Sequence, residues 1–292
     1  MSDFQDLQNI LSTTTGSLMC ISDDPKYDKE KPYFYAGKLE ASQEHLRTNL
    51  EYSQHDGIKF RDIRGFEEKV ELSKHGFQIF KHASSQDLER LSEESILENY
   101  LLETSNLVKE YMGATHVLCY DYRFRKDVPQ PEPEYDFDEP QRGTFSRPEE
   151  PANTPHVDQT KAGGFRRAQR HLTEEETEIY LSGRYRLRII NSWRPLKPVE
   201  DSPLAFCDYY SIAHSALVAA DRVSPEYCGE VYYLKFEAEQ QWYYLSKQKP
   251  DEISVFLSFD SHPNSGSVHT RLSAFRTEEG HLVVLVKVLK VG

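Results

Sequence analysis

Residues 185–196, YRLRIINSWRPL, open the part of the chain whose reading decides the fold. The segment reads as a strand, and six more strand-like runs follow it. They are PLAFCDYYSI (203–212), GEVYYLKF (229–236), QQWYYLS (240–246), EISVFLSFDS (252–261), VHTRLSAFR (268–276) and HLVVLVKVLKV (281–291), separated by turn-rich pieces such as SHPNSGS (261–267). Just before this run, LTEEETEIYLSG (172–183) has the signature of a short helix. Thr173 and Glu176 have capping-box spacing, and Gly183 can close the helix.

Further toward the N-terminus, KPYFYAG (31–37), GIKFRDIRG (57–65), HGFQIFKH (75–82) and THVLCYDYRFR (115–125) also look like strands. Between the last two lies the clearest helix, predicted from about Gln86 to Met112. Leu88, Leu91, Ile96, Tyr100, Leu107, Val108 and Tyr111 fall near a helical period, and Gly113 stands where the helix should stop. Many short strands with helices mostly in the first half predict an α+β chain around a β-sandwich or jelly-roll core with flanking helices. The chain is expected to be one domain over 1–292, with a polar N-terminal extension at 1–31. Residues 126–155 form a long acidic loop carrying seven prolines. A loop of that length inside a compact domain is often a lid or an insertion.

Composition narrows the function classes. Apolar residues make up 38% and aromatics 12% of the 292 residues, enough for a sizeable core. The formal charge is −13 and the pI about 5.4, a balance that a phosphate backbone repels, so nucleic acid is not an expected partner. Cys20, Cys119, Cys207 and Cys228 are far apart and make no CxxC pair, which suits a reducing compartment. The N-terminus has neither the basic nor the apolar region of a signal peptide. The most apolar run, 281–291, is interrupted by lysines and falls far short of the ~20 residues that span a bilayer. A cytoplasmic protein without a membrane partner is the expectation.

Against this background one triplet stands out, His156-x-Asp158 in TPHVDQTKAGGFRRAQRHL (154–172). With 11 histidines and 48 acidic residues, one or two such triplets arise by chance, so it needs independent support. A mononuclear non-haem iron site needs two imidazoles and one carboxylate on one face of the metal. Residues i and i+2 of a strand project to the same side, so this triplet can supply two of the three ligands. The third must come from a distant strand. His171, His214, His262, His269 and His281 are the downstream candidates, and His269 is the best placed, in a strand-like run with Arg271 and Arg276 behind it. An arginine there suits a 2-oxoacid co-substrate, whose far carboxylate calls for a guanidinium, and Thr270 can add a hydroxyl. Arg125 is a candidate for meeting an acidic substrate, Trp242 for lining a pocket, and Arg170, just beyond the triplet, for reaching the site.

In KPYFYAG, DIRG, LSKHGFQIFKHASS, VLCYDYRFR, HVDQT…RRAQRHL, RIINSWRPLKPVEDSPLAFCD, WYYLSKQKPDEISVFLSFDS and VHTRLSAF, over roughly residues 32–276, the chain resembles a family of fungal and bacterial oxidoreductases. It includes the gibberellin GA4 desaturase, the AsaB-type hydroxylase/desaturases and CmcJ-like proteins. The resemblance implies a double-stranded β-helix core and a non-haem Fe(II), 2-oxoglutarate-dependent oxygenase that uses O2 to oxidise a small-molecule secondary metabolite by hydroxylation, desaturation or ring formation. It puts the metal ligands on His156, Asp158 and His269. It puts the co-substrate on Arg276 and Thr270, with Arg194 of SWRPL as the next candidate for the co-substrate arginine. The family's block after the distal histidine differs here, which leaves that arginine open. A non-redox isomerase or lyase, or an accessory subunit, on the same fold is the alternative. Homo- and hetero-oligomers are both open.

Overall fold

The computed structural model describes residues 9–126, 144–146, 148–262, 271–274 and 283–291. Their strands form two sheets. One holds nine strands in the order β1-β3-β11-β8-β13-β6-β10-β9-β2, with β1 (Thr13–Ile21), β2 (Tyr33–Tyr35), β3 (Tyr52–Asp62) and β9 (Leu217–Ser224) toward its edges, and the other five in the order β4-β12-β7-β14-β5. The strands that matter for the site in the larger sheet are β6 (His156–Val157), β8 (Leu204–Cys207), β10 (Tyr227–Leu234), β11 (Trp242–Tyr244) and β13 (Arg271–Ala274). In the smaller sheet they are β4 (Phe77–Lys81), β5 (His116–Arg125), β7 (Leu187–Pro195), β12 (Glu252–Asp260) and β14 (Val283–Val291).

Alternation along the strands decides what lies between the sheets. Phe206 and Tyr243 of the larger sheet pack with Phe77, Trp193 and Phe256 of the smaller one. The Phe77 and Phe206 rings stack with centroids 4.1 Å apart. Residues one position along point the other way. On β7, Asn191 and Trp193 share the inner face, while Ile190 joins the cluster on the outer face.

Helix α1 is the single turn Leu72–His75, and the outer face is covered by helix α2 (Glu94–Met112), which buries Tyr100, Thr104 and Val108, four residues apart, on one stripe. Tyr100 and Val108 meet Ile190, Val255, Leu257, Val286 and Val288, and each such side chain contributes about 1.5–3 kcal/mol by leaving water. Gly113, in the left-handed region at φ 57°, ends the helix as expected. The start differs from the sequence expectation: Asp87 caps a separate 3-10 turn at Leu88–Arg90, and α2 begins only at Glu94.

Two further differences concern the site. Strand β1 (Thr13–Ile21) falls in the segment read as an extension and pairs antiparallel with β3 (Tyr52–Asp62) at the edge of the larger sheet. The segment after the triplet, read without a helix, forms α3 (Lys161–His171). Gly163 and Gly164 weaken its helical pattern in the sequence, but close packing requires them. A Cβ on Gly163 would lie 2.3 Å from the Glu230 carbonyl oxygen, and one on Gly164 2.3 Å from the Phe259 ring. The expected capping box is present on α4 (Glu174–Tyr180), between Thr173 and Glu176.

Candidate metal centre

His156 and Asp158 are presented by a short strand with pairing on both sides. In β6, His156 opposes Tyr233 of β10 and Leu272 of β13. Val157 between them is 2% exposed and turns away, which leaves His156 and Asp158 on one side. The chain is then locked at Thr160. Its N–H donates to the Glu230 carbonyl, its hydroxyl donates to the Glu230 carboxylate, and the same hydroxyl accepts from Gly163 N–H to cap α3.

The orientation of the pair is specific. His156 Nδ1 lies 2.8 Å from the Thr154 carbonyl oxygen. A carbonyl can only accept, so in the neutral ring the proton sits on Nδ1 and Nε2 keeps its lone pair. Nε2 faces Asp158 Oδ1 at 3.6 Å. The other carboxylate oxygen, Oδ2, is occupied from the opposite sheet: Asn191 Nδ2 on β7 donates to it at 2.7 Å, and Lys287 Nζ on β14 lies 3.3 Å away. Burial alone would push the Asp158 carboxyl up, but the Lys287 ammonium, with the Asn191 amide N–H, holds it well below the usual carboxylate range. Asp158 is therefore an anion with one oxygen turned toward an imidazole lone pair. A histidine tied back through its other nitrogen, beside a hydrogen-bonded carboxylate, is the donor arrangement that a divalent metal requires.

The surroundings are polar and short of partners. Among the described residues, the Tyr120 hydroxyl, Asn191 Oδ1, Arg167 Nε, His171 Nε2 and the Tyr227 hydroxyl are buried without a hydrogen bond. Burial, and then the Asp158 charge, push the Tyr120 phenol up. The Arg167 guanidinium lies 4.6 Å from the Tyr227 ring centre and 5.9 Å from that of Tyr120, whose other neighbour is the His171 ring at 4.8 Å. Buried polar atoms without partners are uncommon in proteins and call for an explanation such as a ligand.

The remaining expected residues divide three ways. His269, Thr270 and Arg276 lie outside the described residues. The strand β13 that follows Thr270 in sequence pairs with β6 at His156. Among the described residues no group of three His, Cys, Asp or Glu side chains is placed to hold a metal. Arg194 and Trp242 are elsewhere. Arg194 is on the outer face of β7, three residues from Asn191, where its guanidinium donates to the carbonyls of His82 and Pro250 at 2.8 and 2.6 Å and to the Tyr100 hydroxyl at 3.2 Å. It braces the sheet under α2 and cannot hold a co-substrate at Asp158. Trp242 is 0% exposed and packs with Phe60, Ala205 and Cys207 on the side of its sheet that faces away from Asp158. Arg125 shares the face of Lys287 but is bound to the Glu149 carboxylate and the Glu150 carbonyl. Arg170 is exposed on α3 and stacks on Tyr227 at 4.6 Å.

Comparison with known proteins fits this geometry. Residues 22–282 match the family described as an oxidoreductase/YMDC permease-like domain. The Fe(II)/2-oxoglutarate-dependent dioxygenase nvfI of Aspergillus novofumigatus is 30% identical over 232 residues, 76% of this chain and 77% of its own length. The chain belongs to this family of Fe(II)/2-oxoglutarate-dependent oxygenases. The oxygenase is also 25% identical to the gibberellin cluster GA4 desaturase of Gibberella fujikuroi, over 76% of the chain and 82% of that protein. A solved structure of the iron and α-ketoglutarate-dependent endoperoxidase NvfI superposes with a TM-score of 0.79 at 26% identity, covering 96% of this chain and 98% of that one. No helix among the described residues is long and apolar enough to cross a membrane.

Proposed function

We propose that this oxygenase binds Fe(II) through His156, Asp158 and His269, takes 2-oxoglutarate and O2 as co-substrates, and oxidises a small-molecule secondary metabolite. The observation that carries the ligand assignment is the His156–Asp158 pair, with Nε2 facing Oδ1 at 3.6 Å while Nδ1 and Oδ2 are each engaged by other groups. Bound together, the iron, 2-oxoglutarate and O2 supply an oxidant that removes a hydrogen atom from the substrate, with 2-oxoglutarate leaving as succinate and CO2. The residues of the chain contribute position and electrostatics. The Thr154 carbonyl fixes the His156 ring, and Asn191 fixes Asp158. The buried Tyr120 and Tyr227 hydroxyls, without partners among the described residues, can donate to a group bound there.

The core reads as a double-stranded β-helix, with β5-β14-β7-β12 facing β11-β8-β13-β6 and the further strands flanking them, all within one oxygenase domain. Cys20, Cys119, Cys207 and Cys228 form no disulfide, which suits a cytoplasmic, reducing setting, and the net charge of −13 disfavours nucleic acid as a partner. Incubation with Fe(II), ascorbate and 2-oxoglutarate tests the activity. Succinate should form in wild type and fall to background in Asp158→Ala. Succinate formation undiminished in Asp158→Ala would overturn the ligand assignment.

A further inference from the structure

The outer face of the smaller sheet carries a second charged cluster, on strands whose inner face meets Asp158. Arg186 and Arg188 of β7 and its approach both bind the buried Asp260 at the end of β12. Arg186 engages both carboxylate oxygens, the His262 N–H donates to Oδ1, and Arg188 Nε donates to Oδ2 at 2.8 Å. Asp260 is therefore well supplied with donors. Lys290 of β14 stands directly opposite Arg188 and is 4% exposed. Among the described residues, Asp260 is the one carboxylate that acts on both Arg188 and Lys290. Three cations thus crowd one anion in a partly dry setting, and cations so placed repel. Burial, and then Arg188 and Arg186, bring the Lys290 ammonium down to about 8.

Arg188 also has donors to spare. A guanidinium carries five N–H groups, and among the described residues only the Arg188 Nε–H has an acceptor. Arg188 borders a cavity of about 310 Å3 between the sheet and the helices. Leu257 of β12, Leu72 of α1 and Met112 at the end of α2 give this cavity apolar walls, and Ser73 adds a hydroxyl. The volume lies at the lower end of the range for small-molecule sites. An arginine with its terminal nitrogens uncommitted, backed by two further cations, selects an anion, and its planar fork matches a carboxylate. The apolar walls favour a carboxylate that carries hydrocarbon over a bare inorganic ion.

We propose that this cavity is a second binding site, separate from the metal centre, for a small carboxylate with an apolar body, anchored by Arg188. The carboxylate accepts from the terminal guanidinium nitrogens and offsets the crowded positive charge beside Lys290. Its hydrocarbon lies on Leu72, Leu257 and Met112. Asn191 and Lys287, on the same two strands, face the other way, toward Asp158, so the site does not depend on the iron reading.

Calorimetric titration of the full chain with three probes tests this. Hexanoate supplies both charge and body, hexanamide the body alone and sulfate the charge alone. Hexanoate should bind at least about tenfold more tightly than either of the others. Arg188→Met should weaken hexanoate by at least about tenfold. Met112→Glu, which places a like charge at the cavity wall, should do the same and serves if Arg188→Met does not fold. His156→Ala should bind hexanoate as wild type does, and so should wild type saturated with 2-oxoglutarate and Mn2+, a redox-inert stand-in for Fe(II). Sulfate or hexanamide binding as tightly as hexanoate would overturn the proposal, as would hexanoate failing to bind or binding undiminished in both cavity variants. Loss of hexanoate binding in His156→Ala would move the ligand to the metal centre and overturn it too.

Discussion

Strand β7 carries two polar side chains three residues apart, and the contrast between their surroundings is instructive. On the outer face Arg194 is 0% exposed, and its guanidinium reaches two carbonyls, a phenol and the His82 ring. On the inner face Asn191 holds Asp158 with one end, while its Oδ1 has no partner among the described residues. Tyr120, Arg167 and His171 nearby share that condition. Satisfied buried networks rigidify a fold, and groups left unsatisfied cost stability that only a ligand recovers. Around Arg194 the outer face is thus built for structure and around Asn191 the inner face suits binding, although the Ser192 and Thr104 hydroxyls on the outer side are also buried without a partner among the described residues.

Breaking each side should give opposite signatures. His156→Ala should reduce turnover by more than about 100-fold, beyond the loss from a supporting partner, while its thermal midpoint stays close to wild type. Arg194→Met should do the reverse. Four acceptors lose their donor under α2, and urea unfolding should show a loss of about 3 kcal/mol with Mn2+ affinity unchanged. Asn191→Ala should lie between, with metal affinity lowered about 10- to 100-fold and a stability change within about 1 kcal/mol. If Asn191→Ala instead destabilised as much as Arg194→Met and bound metal normally, the division between the two faces would fail.

The smallest effect concerns Glu252, which is 1% exposed at the start of β12. Burial would push its carboxyl up, but Arg64, Lys81 and the Lys249 N–H lower it from 4.5 to about 2. A carboxyl depressed on folding contributes stability that is present above its unfolded value and lost as the pH falls toward the folded one. Wild-type stability should decline between about pH 4.5 and 2. Glu252→Gln should be less stable at neutral pH and show a flatter acid limb in denaturant melts.

Much of this was legible from residues. The strand runs after Tyr185 announced the sheets, and the capping box at Thr173 and the stop at Gly113 hold in the structure. His156 and Asp158 share a side because their spacing is two. Partners across the sheets were not legible, since nothing local links Asp158 to residues 33 and 129 positions away. Signals existed nonetheless. Lys287 and Lys290 interrupt an otherwise apolar strand, a feature read only as evidence against a membrane span. Asn191 sits inside a buried strand, where a polar side chain needs a reason. The reading of Arg194 as a co-substrate ligand failed because sequence position does not reveal which face of a strand a residue takes, and one step along β7 reverses it. Helix α3 was hidden by Gly163 and Gly164, whose need arises only from contact with β10 and β12.

The claim that matters most is that His156, Asp158 and His269 form an iron centre open to 2-oxoglutarate. Anaerobic addition of Fe(II) and then 2-oxoglutarate to the wild-type protein should produce a visible metal-to-ligand charge-transfer band. That band should be absent in His156→Ala and in His269→Ala. A wild type that binds both without the band, or a His156→Ala variant that retains it in full, would contradict the account.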